Sequence, residues 1–259
     1  MIEEYLAGLR LSDLDGLDEA IRYSLLSPGK RIRPRLCLAA ASAAGADPAD
    51  ALPAAAAVEM IHAFSLVHDD LPALDDDDER RGRPTSHVRY GEAVAVLAGD
   101  ALLNAAYRHV LEDEQMPDGV RLAVLGELTR GVAAMIDGQY LDVTAEMPDH
   151  EALASLHRLK TGALIEASVG CGLHVARLDA EQQAPYRAFA RELGLLFQIV
   201  DDLLDDGSDE PSYVALHGLD RARDLAEDSY GRARTLLADI EGDTSELAAL
   251  AELVARRRA

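Results

Sequence analysis

The chain has 259 residues, enough to bury a large core, with 25 Lys and Arg against 47 Asp and Glu for a formal charge of −22, a balance that repels nucleic acid and anionic lipid. Apolar residues make up 49% but aromatics only 4%, with no Trp and with Ala and Leu dominant, which argues against a β-branched sheet protein and for helix. There is no unbroken apolar run of membrane-spanning length, the start Met1-Ile2-Glu3-Glu4 does not read as a signal peptide, and Cys37 and Cys171 sit far apart in apolar helical patterns. The expectation is a single soluble domain over 1–259, cytoplasmic, not inserted in a membrane, with both thiols buried and unpaired.

Helical periodicity runs nearly from end to end, broken at 27–29, 45–50, 116–119, 147–149, 177–179 and 207–211. Short connections predict antiparallel neighbours and an all-α bundle. Pro53 falls in a first turn after Asp50, and Asp149 and Asp179 stand where helix N-caps are expected. Lys30, Arg31, Arg33 and Arg35 follow the first break, and Arg80, Arg81 and Arg83 form a second basic group; clustered cations in so acidic a chain point to a small anionic ligand.

Between the basic groups an apolar helix closes on Asp69 and Asp70, which Pro72 cannot continue, and residues 75–78 are four further aspartates. His62 precedes Asp69 by seven residues, on the same face with Ser65 between them. Phe64 and Ser65 lie about one turn deeper, ~6–8 Å at about 1.5 Å per residue, placed to form a floor under whatever the aspartates hold. The segment from Leu196 to Asp205 echoes the pattern: an apolar run, the pair Asp201 and Asp202, then Asp205. Asp201 and Asp205 share a helix face, with Asp202 beside them, and two such helices can face each other across one cavity. Carboxylates crowded at the negative ends of helices are unfavourable without a cation. Hard oxygen donors, no Cys nearby and only His68 adjacent point to Mg²⁺ rather than Zn²⁺.

Gly29-Lys-Arg-Ile-Arg-Pro34, the stretch from His62 to Gly82, Ala98-Gly-Asp-Ala-Leu102, Gly138-Gln139 with Asp142, Lys160-Thr-Gly162 and Phe197-Gln-Ile-Val-Asp-Asp-Leu-Leu-Asp205 occur in this order. With these motifs the sequence resembles the trans-polyprenyl diphosphate synthases, most closely bacterial farnesyl diphosphate synthases, over residues 20–230. The resemblance implies an all-α helical bundle around a central cavity, usually dimeric, in which Asp69, Asp70, Asp75, Asp201, Asp202 and Asp205 hold Mg²⁺ against an allylic diphosphate. It implies that Arg80, Lys160 and Gln198 face that substrate with Thr161 near the allylic cation, and that Lys30, Arg33, His62 and Arg81 bind isopentenyl diphosphate. Phe64 is bulky enough to stop chain growth at farnesyl diphosphate, or at geranyl diphosphate in a tight cavity. One departure follows Asp205: the family's longer loop is shortened, and Glu210 stands in the place of a lysine. Two alternatives stay open on the sequence, a class I terpene cyclase using the same metal site and a weakly active or inactive regulatory subunit of a prenyl diphosphate synthase.

Overall fold

The computed structural model describes residues 1–144, 150–204 and 212–257, and these are helical almost throughout. Ile2–Gly8 (α1), Asp15–Leu25 (α2) and Ile32–Ala43 (α3) lead into a short 3₁₀ turn, Pro48–Ala51, and the long helix Leu52–Asp69 (α4). Pro53 sits in the first turn of α4 as expected, and ahead of the helix Asp47 Oδ1 accepts from Ala49 N–H at 2.8 Å and starts the 3₁₀ turn that contains Asp50. Every residue of α4 from 54 to 61 is buried. The helix is long and apolar enough to cross a bilayer by length and composition alone, and here that apolar surface forms the centre of the bundle. Four consecutive alanines, Ala54 to Ala57, let neighbouring helices approach closely.

After α4 the chain makes a two-stranded antiparallel hairpin, Glu79–Arg80 (β1) and Arg83–Pro84 (β2), with Arg80 opposite Arg83. The two linking residues have positive φ, +56° at Arg81 and +74° at Gly82, as a two-residue primed turn requires. Strands of two residues are too short for period-2 alternation, so the hairpin was invisible to a search for periodicity. Ser86–Tyr90 (α5), Glu92–Leu111 (α6) and Asp118–Thr144 (α7) follow, then His150–His157 (α8), a π turn over Arg158–Gly162, and Ala163–Val175 (α9). Ala180–Leu204 (α10), Tyr213–His217 (α11), Leu219–Ala238 (α12) and Ser245–Ala255 (α13) complete the described chain.

α4 packs along α6 and α3, α9 along α3 and α7, and α10 along α9 and α12. A Cβ at Gly172 of α9 would overlap the Cys37 carbonyl of α3, so glycine is what allows those backbones to touch. Cys37 and Cys171 are buried and free. The break at 177–179 is capped as read: Asp179 Oδ1 accepts from Gln182 N–H at 2.9 Å while Gln182 Oε1 accepts from Asp179 N–H at 3.0 Å, a reciprocal capping box. The break read at 116–119 lies earlier, because Asp113 Oδ1 turns the chain by accepting from Gln115 N–H at 2.8 Å, and Gly119 falls inside α7. The breaks read at 147–149 and 207–211, with the Asp149 cap, lie outside the described residues.

Candidate active site

Three helices bring their C-terminal ends to one place. α4 closes on Asp69, α7 carries Asp142 in its last described turn, and α10 carries Asp201 near its own. Asp69 and Asp201 line a single cavity of about 760 Å³, and Asp142 is bonded to Lys160 on its wall at 2.5 Å. Each helix end adds the negative pole of its dipole to the carboxylates already there. Asp75 joins them because the turn after α4 folds back, its N–H donating to the Asp69 carbonyl at 2.9 Å. Lys160 and Thr161 enter from the π turn, an insertion that re-aims side chains within a helix and recurs at functional sites. A Cβ at Gly138 would overlap the Lys160 backbone, so glycine lets α7 and the π turn meet here.

The electrostatics are those of a site short of positive charge. Burial pushes the Asp69 carboxyl up to about 6, and neighbouring Asp75 and Asp70 add to this against the opposing pull of Lys160. Burial and then the charges of Asp142 and Asp77 raise Asp75 as well. Among the described residues no three His, Cys, Asp or Glu side chains form a ready-made metal cage. An ion bound here would take one or two carboxylates and complete its shell with water and ligand oxygen, a donor set that fits Mg²⁺ and does not fit a closed Zn²⁺ site.

A second compartment of about 300 Å³ adjoins the first, sharing Arg33, His62, Arg81, Phe197 and Arg257 with it and adding Lys30. Its character is cationic. Burial lowers Arg33 to about 10, which leaves it charged at neutral pH, and its Nε has no partner among the described residues. His62 Nε2 lies 3.4 Å from Arg33 Nη1. Burial, then Arg33 and Arg81, drives the imidazole well below its usual value, so it stands there neutral. The primed turn that gives Arg81 its positive φ also anchors its guanidinium on the Pro28 carbonyl at 2.9 Å. The Phe197 ring separates the compartments, with Arg33 5.5 Å and Arg257 4.4 Å from its centroid.

Not every residue singled out in the sequence reaches these cavities. Arg31 reaches the wall of the second compartment only as a strut already paired, bonded to Glu59 at 2.5 Å and Glu3 at 2.8 Å, and Arg35 lines neither compartment, facing Glu246 at 3.8 Å on the surface. Arg83 stacks on Tyr23 with 4.2 Å to the ring centroid. Arg80 lines the large cavity while bonding Asp70 at 2.5 Å, and Asp70 itself is buried beside a small chamber of about 40 Å³. The Asp202 carboxylate accepts from Tyr213 N–H at 2.7 Å and does not line either large compartment. Gln198 does not line them either. Its amide lies 2.8 Å from His157 Nδ1, and burial holds that ring neutral by lowering it to about 4. Asp205 and Glu210 lie outside the described residues. His62, Phe64, Ser65 and Asp69 do share one cavity-facing side of α4.

The sequence pattern of the polyprenyl synthetase family matches residues 15–228. This chain belongs to the polyprenyl synthetase family. It is 41% identical over 269 residues to the farnesyl diphosphate synthase of Geobacillus stearothermophilus, covering 96% of this chain and 91% of that protein. It is 43% identical over 263 residues to a chloroplastic geranylgeranyl pyrophosphate synthase of Catharanthus roseus, covering 93% of this chain and 74% of that one. Its structure matches the apo crystal structure of an FPP/GFPP synthase from Zymomonas mobilis with a TM-score of 0.91 at 33% identity, over 98% of this chain and 94% of the other. The polyprenyl synthetase is therefore a prenyltransferase. Its site also includes groups to which sequence reasoning assigned no role. Arg257 pairs with Asp201 at 2.9 Å, and its sole signal in the sequence is the basic run 256–258. Asp142 and Gln139 were visible as part of a motif, without a role.

Proposed function

We propose that this polyprenyl synthetase is a Mg²⁺-dependent short-chain trans-prenyltransferase that condenses isopentenyl diphosphate with dimethylallyl or geranyl diphosphate to give farnesyl diphosphate. The observation that carries the reading is the pair of adjoining compartments, one rimmed by carboxylates over an apolar interior and one lined by cations. Asp69, Asp75 and Asp201 would hold Mg²⁺, with Asp70, Asp202 and Asp205 supporting, and the bound ion would neutralise the diphosphate leaving group. Lys160 and Arg80 add fixed positive charge at the same end. Lys30, Arg33, His62 and Arg81 hold the second diphosphate, so the alkene of isopentenyl diphosphate meets the allylic carbon beside Phe197. The allylic C–O bond breaks with its electron pair on the departing oxygen, and the alkene electrons form the new C–C bond. The released diphosphate accepts the proton then lost. Apolar walls at Met135, Ile136 and Leu164 keep water from the cation.

Incubating the protein with Mg²⁺, isopentenyl diphosphate and each allylic diphosphate in turn, and identifying the products, tests the reading. A cyclic hydrocarbon made from the allylic substrate alone would assign the chain to the cyclases, although a separate cationic compartment has no use in a cyclase. No turnover with any donor would leave a non-catalytic subunit.

Chain length follows from Phe64, whose ring stands edge-on to His68 at 4.9 Å between centroids and lines the cavity. Phe64→Ala is expected to shift the main product beyond farnesyl diphosphate, and Ser65→Phe to shorten it to geranyl diphosphate. Unchanged product distributions in both variants would place the floor elsewhere.

The partner is a second copy of the chain. Leu97 on α6 and Leu122 on α7 are 57% and 69% exposed, large apolar side chains outside the cavity and left uncovered by the protein's own fold. Sedimentation analysis is expected to give a dimer that Leu97→Glu weakens. A monomer at micromolar concentration would remove this proposal.

A further inference from the structure

Gln139 is a buried amide in the stretch of α7 that lines the cavity, where Tyr140 and Thr144 are the other side chains with a polar atom. It lies on α7 between Met135, Ile136 and Val143, all of which line the cavity with it. Both its amide atoms, Nε2 and Oε1, are buried and without a hydrogen-bond partner among the described residues. Reversing the amide changes nothing, because neither end has a partner to lose. A buried amide with neither end satisfied is uncommon in a folded protein and calls for a ligand, an ordered water or a catalytic role.

Its position selects among these. Asp142, three residues further along α7, bonds Lys160 at the polar end of the cavity. Gln139 is thus one turn below that ion pair, ~4.5 Å along the axis at about 1.5 Å per residue. Gly138 brings the helix backbone against the Lys160 backbone at this level, fixing the depth of the neighbouring side chain. One turn below the charged groups is where a diphosphate head ends and its hydrocarbon begins.

Resting on the proposed prenyl transfer, we infer that Gln139 is a further substrate-contacting residue, its side-chain carbonyl oxygen facing the allylic carbon that becomes positive as the diphosphate leaves. The carbonyl is neutral, so it does not combine with the cation as a carboxylate would. It is also held by helix packing before the reaction, so its dipole needs no reorganisation when charge develops. Gln198, which the family resemblance implied for the allylic side, is occupied with His157 in this structure.

Two unreactive allylic analogues separate ground-state from cation binding. In one, sulfur replaces the bridging oxygen of geranyl diphosphate, so it binds without ionising. In the other, an ammonium nitrogen stands at the allylic carbon. With Mg²⁺ present, calorimetry on Gln139→Leu is expected to show the ammonium analogue bound about tenfold or more weakly than by wild type, and the sulfur analogue within about twofold. Gln139→Glu, which keeps an oxygen at that point, is expected to retain ammonium binding. Equal loss of both analogues, or of neither, in a Leu variant with wild-type circular dichroism and Tm overturns the inference. Failure of wild type to bind either analogue would instead count against prenyl transfer itself, so the two failures are told apart.

Discussion

Asp69→Ala is expected to lower kcat by about 10³-fold or more, because the carboxylate is assigned to the ion that stabilises charge on the leaving group, a contribution of several kcal/mol. Asp201→Ala is expected to do the same from the facing helix. Neither change should unfold the protein. The Asp69 carboxyl is held up to about 6 chiefly by burial, so in the metal-free enzyme its charge opposes folding. A carboxyl that binds its proton more tightly in the folded state than in the unfolded one costs stability as pH rises from 3.8 through about 6. Removing it therefore leaves the metal-free Tm at neutral pH unchanged or raised. Adding Mg²⁺ reverses the sign: the wild-type Tm should rise clearly at about pH 7.5 and little at about pH 5, where the ion must displace a proton. The Asp69→Ala variant should lose most of that rise. Asp76, Asp77 and Asp78 do not line the cavity, and Asp77 bonds Arg80 at 3.0 Å, so alanine there should have smaller effects. Wild-type turnover in Asp69→Ala, or a Mg²⁺ response independent of pH, would take Asp69 out of the metal site.

The largest effect on stability is expected far from the cavity, at Glu127. This α7 residue is only 6% exposed, yet it receives both Arg187 Nη atoms of α10 at 2.9 Å each, His174 Nε2 of α9 lies at 3.2 Å, and Arg130 donates at 3.0 Å. Burial alone would raise the carboxyl, but the hydrogen bonds from His174 and Arg187 overcome it and hold Glu127 at about 2. One side chain thus ties three helices together. Glu127→Gln keeps the shape and removes the charge, leaving Arg187 half-buried and facing an amide. Breaking such a pair costs about 3–5 kcal/mol, which for a chain of this size is a Tm loss on the order of 10 °C. The sign of the pH dependence follows from the depressed value. The stabilisation is complete above the ordinary 4.5 and is lost as pH falls toward about 2. Melting curves of wild type and Glu127→Gln should be well separated at neutral pH and converge across that acid window. A constant gap down to about pH 2 would show that shape, not charge, holds the three helices.

The parts of this protein that were legible in the sequence are those decided within a turn or two of chain. Helix content followed from Ala-rich periodicity, and the end of α4 followed from Pro72. The start of α10 followed from Asp179, whose partner Gln182 is three residues away. The face of α4 carrying His62, Ser65 and Asp69 followed from helical spacing alone. What required the fold was the choice of partner. Lys30, Arg31, Arg33 and Arg35 look alike in sequence, but Glu59 on α4 takes Arg31 into an ion pair while Arg33 is turned to the large cavity. The connection after α12 is another case, because Gly242 has φ of +115° and a Cβ there would overlap the Ala43 carbonyl of α3, a contact no local pattern announces. Gln198 and Gln139 exchanged their expected standing for the same reason: His157 is packed beside one, and among the described residues the other has no hydrogen-bond partner. Arg257 reaches Asp201 from the far end of the chain. Local chemistry sets where a helix begins, ends and turns its apolar face, whereas the partner of a long polar side chain is set by which distant helix is packed against it. Only the assembled bundle supplies that neighbour.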